Sequence, residues 1–258
     1  MSNGKPDDKT RGLLSDKRVL VTGGSGGIGQ GICAVAAREG AKVAFTWFGN
    51  EKGAEATASL IRDQGQDCLA LQADLRIPES ATRVVAAVED AWGGIDGLVN
   101  NAAVSESIPF ILINEEDFAD LVNLNVFAVF RLTQIAVRGM IRQKHGRIVN
   151  ISSIAGSRTV PGPVHYATSK GAIEGFTRSL AHEVGPYGVL VNAIAAGIFE
   201  GGLRSTIPEH HQKRYVDACA LSRIGQPMEC GELAAWLLST RNTYVNGTVI
   251  FQEGGTLA

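Results

Sequence analysis

Tyr166 and Lys170 stand four residues apart in the stretch PVHYATSKGAIEGF, at the start of an apolar-periodic run. Residues i and i+4 lie one above the other on a helix, so the phenol and the ammonium would face the same place. Such a pair can move a proton. A free phenol titrates near about 10, and a neighbouring cation favours the phenolate and lowers that value towards neutrality. Tyr and Lys also snorkel at ordinary helix surfaces, where the same spacing carries no chemistry. The rest of the chain has to decide between these readings.

A second chemical signal is the glycine-rich stretch VTGGSGGIGQG (21–31), with Gly23, Gly27 and Gly29 in it. It follows the apolar run RVLVTGG and opens a helical pattern. In that context glycines permit a tight turn and let the backbone approach a pyrophosphate, whose charge rests on the helix N-terminus. A flexible linker has a similar composition but would not lie between a buried strand and a helix.

These groups need a frame. RVLVTGG, AKVAFTW, DCLALQA, GLVNNAA, GRIVNISS, VLVNAIA and TVIFQE read as strands, the unbroken apolar runs of a sheet covered on both faces. Amphipathic stretches at 51–64, 78–92, 115–143 and 164–184 alternate with them. The alternation predicts an α/β fold: a single Rossmann-type, doubly wound parallel sheet flanked by helices on both faces. One catalytic domain is expected over 16–258, after a polar N-terminal tail at 1–15.

Composition excludes several classes. With 24 Lys and Arg against 26 Asp and Glu, the net charge of −2 points to neither nucleic acid nor an anionic membrane as the main partner. No apolar stretch is expected to span a bilayer, and the first residues lack the apolar core of a signal peptide, so a cytoplasmic protein is expected. Cys33, Cys68, Cys219 and Cys230 follow no metal or disulfide spacing, and His210–His211 has no partnering motif, so no metal is expected.

At this point the sequence resembles the short-chain dehydrogenase/reductase family. Thr22 with the glycines fits T-G-x-x-x-G-x-G, and LVNNAAV (98–104) is similar to the family's N-N-A-G, with Ala103 in the glycine place. ADLR (73–76) and the C-terminal segment from SRIGQP to QEGG extend the match over about 16–256. Ser153 lies 166 − 153 = 13 residues before Tyr166, and Asn125 lies 166 − 125 = 41 before it. The resemblance therefore implies a catalytic set of Asn125, Ser153, Tyr166 and Lys170. Ser152, on the other side of its strand, comes second to Ser153.

The implied roles are specific. Tyr166 gives a proton in reduction or takes one in oxidation, with its pKa lowered by Lys170. Ser153 hydrogen-bonds the carbonyl oxygen as charge develops. Asn125 kinks its helix and holds a water in the proton relay, and Lys170 also reaches the nicotinamide ribose. The implied cofactor-binding residues are Gly23, Ser25, Gly27, Ile28, Gly29, Thr46, Asp74, Leu75, Asn101, Ala102, Tyr166, Lys170, Gly197 and Ile198. Among these, Asp74 meets the adenine amino group and the Ile198 N–H meets the carboxamide. Asn100 and Asn101 tie together the mouth of the sheet.

NADP(H) is expected over NAD(H), because Thr46 stands where an NAD site carries an acid and Lys52 lies close by. Gly26 and Glu51 weigh the other way. The expected substrate is a small-molecule or carrier-bound carbonyl compound, most closely a 3-oxoacyl thioester of acyl-carrier protein, with Lys144 as a docking cation. A sugar, polyol or secondary-alcohol dehydrogenase and a non-catalytic nicotinamide-binding scaffold are the alternatives. Pairing of helices 115–143 and 164–184 implies a homotetramer. The segment 198–217 falls where the family has a mobile lid. Its entry departs from the family's P-G-x-x-x-T, with Ala196 and Gly201 replacing proline and threonine. A lid disordered without ligands is expected, and Gly201→Thr is expected to tighten the cofactor by about 0.5–1.5 kcal/mol through one regained hydrogen bond.

Overall fold

The apolar runs form strands whose residues are buried on both sides, and the amphipathic stretches cover them. In the computed structural model, which describes residues 12–256, the strands are β1 (Arg18–Val21), β2 (Lys42–Trp47), β3 (Cys68–Gln72), β4 (Gly97–Asn100), β5 (Gly146–Ser153), β6 (Val189–Ala196) and β7 (Val249–Gln252). All pair in parallel, in the order β3-β2-β1-β4-β5-β6-β7. The chain winds outwards one way from β1 and then the other way from β4. The crevice at that reversal, beyond the carboxyl ends of the strands, is where such sheets bind ligands. The expected fold class is the observed one.

Helices α1 (Gly27–Arg38), α2 (Glu51–Asp63) and α8 (Pro227–Leu238) help to build one apolar layer, which holds Ile32, Val35, Phe45, Ile61 and Leu237. Helices α3 (Pro78–Trp92), α5 (Ala128–Arg142) and α6 (Val164–Val184) build the other, with Leu20, Val84, Leu132, Met140 and Ile148. Of two shorter helices, α7 (Glu209–Ala218) lines the crevice and α4 (Glu115–Val122) packs against α6.

Most of the expected tail, 1–11, lies outside the described residues. Its last part does not behave as a tail: Leu14 is fully buried in the first core layer. The backbone N–H of Leu14 donates to the Glu39 carbonyl at 2.9 Å. Burying one leucine stabilises the fold by about 1.5–3 kcal/mol, so the packed unit begins before residue 16.

The stretch 115–143 is not one uniform helix. Between α4 and α5 the turn widens by one residue into a π turn over Asn123–Phe127. Together the two helices form a 28-residue rod that is long and apolar enough to cross a membrane by length and composition. This differs from the sequence expectation. Its apolar face is used inside the protein, where Leu132, Ala136 and Met140 pack on the sheet.

A ladder of uncharged polar side chains crosses this core. Asn100 Nδ2 donates to Thr133 Oγ1 at 2.9 Å and to Asn150 Oδ1 at 2.8 Å, and Asn150 Nδ2 donates to Thr177 Oγ1 at 2.9 Å. It links β4 and β5 to α5 and α6. Buried amides left unpaired cost about 1–3 kcal/mol each, so the ladder favours this one arrangement of strands and helices.

Candidate active site

The carboxyl ends of the strands open into a cleft of about 1140 Å³. At its centre, the turn after β1 is fastened by Thr22, whose hydroxyl oxygen accepts from the N–H groups of Asn101 and Ala102 at 2.9 and 3.0 Å. Asn101 Nδ2 returns bonds to the carbonyls of Thr22 and Gly23. Asn101 thus ties the mouth of the sheet together as expected, whereas Asn100 belongs to the buried ladder with Thr133 and Asn150. Gly29 has to be glycine for room: a Cβ there would stand 2.1 Å from the Gly23 carbonyl oxygen. Helix α1 starts without a side-chain cap. Its first N–H groups therefore stay available to an anion, the condition for holding a pyrophosphate.

Gly23, Ser25, Ile28, Thr46, Asp74, Leu75, Asn101, Ala102, Ser153, Tyr166, Lys170, Gly197 and Ile198 all line this cleft. Gly27 and Gly29 belong to the first turn of α1 beside it. Asn125 stands behind it, buried in the wide turn. Its Oδ1 accepts from the Val104 N–H at 2.9 Å, and its Nδ2 donates to the Val104 carbonyl and to Ser169 Oγ. The amide thus braces the 102–104 loop against α6. A water held here would meet the main chain or the second lone pair of Oδ1.

The strand end explains the choice between the two serines. Ser152 is buried, with its hydroxyl donating to Glu174 Oε1 at 3.0 Å and to the Lys170 carbonyl. Ser153, one residue on and facing the other way, hydrogen-bonds the Tyr166 phenol. Lys170 Nζ donates to the Ile151 carbonyl at 2.8 Å and lies 5.6 Å from the centre of the Tyr166 ring. Four elements therefore converge on one point: the end of β5, the first turns of α6, the Gly turn and the end of β6.

The electrostatics correct one expectation. Burial pushes the Tyr166 phenol up to about 12, against the downward pull of the Ser153 hydrogen bond. Burial also pushes Lys170 down to about 8. In this apolar surround both charged forms are disfavoured, and that outweighs the attraction the sequence suggested. Tyr166 is a neutral phenol at pH 7 and can act as a proton donor, while Lys170 remains largely charged.

The adenosine end of the cleft also departs from expectation. Strand β2 runs to Trp47, so its tip is Trp47 and not Thr46. Thr46 is buried, and its hydroxyl oxygen accepts from the Gly23 N–H at 3.1 Å. Lys52, on α2, is not part of the lining. Asp74 does line the cleft, but Arg76 already holds it in a two-point pair at 2.9–3.2 Å and keeps its carboxyl below the usual range. The Arg76 guanidinium lies 5.8 Å from the Phe48 ring centre. Trp47, Phe48 and Arg76 thus join this end although sequence reasoning passed over them. Only their place next to Thr46 and Asp74 signalled it. Lys144 is excluded from the mouth. It precedes β5 at the amino edge of the sheet, and the first residue of that strand is already about 23 Å from Ser153.

The segment 198–217 forms a short 3-10 turn (Gly202–Thr206) followed by α7. Arg204 pairs with Glu200 and donates to Gln212 Oε1 at 2.7 Å. Tyr215 reaches back to the Glu253 carbonyl at 2.8 Å. Gly201 and Gly202 lie directly on Gly27, the first residue of α1.

Residues 23–256 match the family described as Enoyl-(Acyl carrier protein) reductase. The chain is 34% identical over 242 residues to the 3-oxoacyl-(acyl-carrier-protein) reductase FabG of Vibrio cholerae, covering 94% of this chain and 98% of that one. It is 37% identical over 254 residues to the oxidoreductase UcpA of Salmonella typhimurium, covering 95% and 96%. Among solved structures it superimposes on a short-chain dehydrogenase of Burkholderia cenocepacia in complex with NADP. That match has a TM-score of 0.87 and 32% identity, over 94% of this chain and 98% of that one.

Proposed function

The chain belongs to the short-chain dehydrogenase/reductase family of nicotinamide-dependent oxidoreductases, and on that premise we propose that it reduces 3-oxoacyl thioesters with NADPH. The observation that carries the reading is the contact of Ser153 with a protonated Tyr166, with the Lys170 ammonium beside the ring. The uncapped α1 terminus and the glycine turn fit a dinucleotide. Gly23, Ser25, Ile28, Asp74, Leu75, Asn101, Ala102, Gly197 and Ile198 would hold it, with Gly27 and Gly29 shaping the turn.

Bound nicotinamide supplies the hydride for the substrate carbon. The oxygen is the work of the chain's own residues. Ser153 hydrogen-bonds it as negative charge develops, and Tyr166 delivers the proton. Lys170 stabilises the phenolate left behind, while Asn125 holds α4, α5 and the 102–104 loop in place around them. In its protonated form Tyr166 is ready to donate, and the direction that runs is set by the concentrations of cofactor and substrate.

The substrate half of the cleft supports an acyl compound over a sugar or polyol. Its walls include Ile108, Pro109, Phe110, Val160, Leu203 and Ile207. At its mouth Phe110, Ile111 and Leu112 are 70%, 88% and 65% exposed. A polyol would leave those surfaces in water, whereas an acyl chain would cover them. Arg214, on α7 at the rim, is the cation that an acidic carrier would meet.

NADPH is preferred in this reading because β2 ends without a carboxylate to repel a 2′-phosphate. The four cysteines are free thiols, which fits the cytoplasm. Phe127, at the end of the wide turn, and Phe130 on α5 are each about half exposed and fit pairing with a second copy in a homotetramer, which light scattering tests directly. The decisive experiment is a steady-state screen of NADPH and NADH against acetoacetyl and crotonyl thioesters, simple ketones and polyols. Fastest turnover is expected with NADPH and acetoacetyl thioester. Turnover of polyols or of crotonyl thioester alone would replace that substrate, and tight cofactor binding with no turnover would favour a scaffold.

A further inference from the structure

The lid helix holds one polar group at the point where a bound cofactor would have to do its work. Ser153, Ala196 and Gln252 stand level on β5, β6 and β7, so Gly197 follows on the strand next to Ser153 and Glu253 one strand further, about 10 Å across the sheet. The Tyr215 hydroxyl lies there. It donates to the Glu253 carbonyl at 2.8 Å and is hydrogen-bonded to the backbone of Ile198. It sits so near the main chain that a Cβ on Gly197 would be 2.0 Å from it.

A hydroxyl with one N–H neighbour and one carbonyl neighbour presents one acceptor and one donor. A primary carboxamide presents the same two functions on its oxygen and its nitrogen. The nicotinamide ring must lie beside Ser153 and Tyr166 to transfer hydride to a carbon whose oxygen they hold. Its carboxamide would be held by the Ile198 N–H, as the family resemblance implies, and by the Glu253 carbonyl, at the ends of β6 and β7.

We propose that Tyr215 holds the place of the nicotinamide carboxamide, and that the cofactor displaces it on binding. This rests on the nicotinamide-dependent reading of the site. The consequence reaches the substrate side, because Tyr215 belongs to α7. His211 and Arg214 of the same helix line the cleft. Releasing the phenol frees the helix end that borders the substrate mouth.

Titration calorimetry of Tyr215→Phe and Tyr215→Leu tests this, with NADP⁺ and with 2′-phospho-ADP-ribose, which lacks the nicotinamide. Removing the hydroxyl should tighten NADP⁺ by about three- to tenfold, the range of one net hydrogen bond, and leave the fragment unchanged. Circular dichroism checks that both variants fold, and hydrogen exchange at Ile198 should quicken in the ligand-free variants. Unchanged or weaker NADP⁺ binding, or an equal gain for the fragment, overturns the proposal while leaving the cofactor reading intact. Failure of the unsubstituted protein to bind any dinucleotide overturns both.

Discussion

Gly201 carries φ 72° and ψ −168°, a region that residues other than glycine hardly enter. Holding a side chain there costs about 1–3 kcal/mol. A Cβ at this position would also stand 3.3 Å from the Gly27 Cα, a tight contact against backbone that has little room to retreat. A threonine hydroxyl would return about 0.5–1.5 kcal/mol if it found one partner. Over most of these ranges the strain, with the tight contact added, exceeds that gain, which reverses the expectation from the family pattern. Gly201→Thr should loosen the lid entry and weaken cofactor binding.

At about 1.4 kcal/mol per tenfold, the strain corresponds to a shift of about five- to 150-fold away from the arrangement seen. The assay is amide exchange at Arg204 and Ile207, whose N–H groups donate to the carbonyls of Gly201 and Arg204 at 3.2 and 3.0 Å. Gly201→Ala isolates the backbone term, and Gly201→Thr adds the hydroxyl. Exchange at both amides should rise at least about fivefold in either variant. Unchanged protection in both, together with tighter cofactor binding by the threonine variant, would refute the reasoning.

Tyr166→Phe keeps the ring and removes the proton donor, so turnover should drop by at least about a hundredfold while calorimetric cofactor affinity persists; retained activity would falsify the assigned acid. Carbonyl reduction should hold steady below pH 8 and decline above it as Lys170, held down to about 8, gives up its charge. A profile flat to pH 10 would remove Lys170 from the mechanism. In thermal unfolding the same group acts with the opposite sense. Between about 8 and the ordinary 10.5 the unfolded chain binds the extra proton, so its contribution to stability rises with pH. Asn150→Leu leaves Asn100 and Thr177 each short of a partner, and should cost about 1–3 kcal/mol in denaturant unfolding; a neutral result would show the ladder is dispensable.

The sheet, its reversal at β1 and β4 and the Ser153–Tyr166–Lys170 cluster were legible in the sequence because each rests on a local rule. Strands covered on both faces are apolar throughout, glycines mark the phosphate turn, and i, i+4 spacing aligns Tyr166 with Lys170. What the sequence concealed depends on neighbours distant in the chain. Tyr166 looked like a phenol lowered by a cation, yet the packing around it decides the direction. Asp74 looked like a free acceptor until folding set Arg76 on it. Thr46 was put at the ribose although AKVAFTW already carries the strand to Trp47, which pairs with Gln72 of β3. Tyr215 gave no signal in the sequence, because its partners Ile198 and Glu253 are backbone groups with no signature in composition.

The wide turn at Asn123–Phe127 sets a rotational phase. Each α-helical residue advances about 100° around the axis, and the π turn inserts one residue between α4 and α5. Leu132, Ala136 and Met140 meet the sheet at the angle this insertion gives them, while Phe127 and Phe130 point away from it. Wound as regular α-helix, the same residues would swing that apolar stripe by about 100°; the wide turn takes up the extra residue and keeps the stripe on the sheet. A one-residue deletion there would therefore leave α5 in phase, and would cost instead the widened backbone from which Asn125 reaches the main chain of Val104.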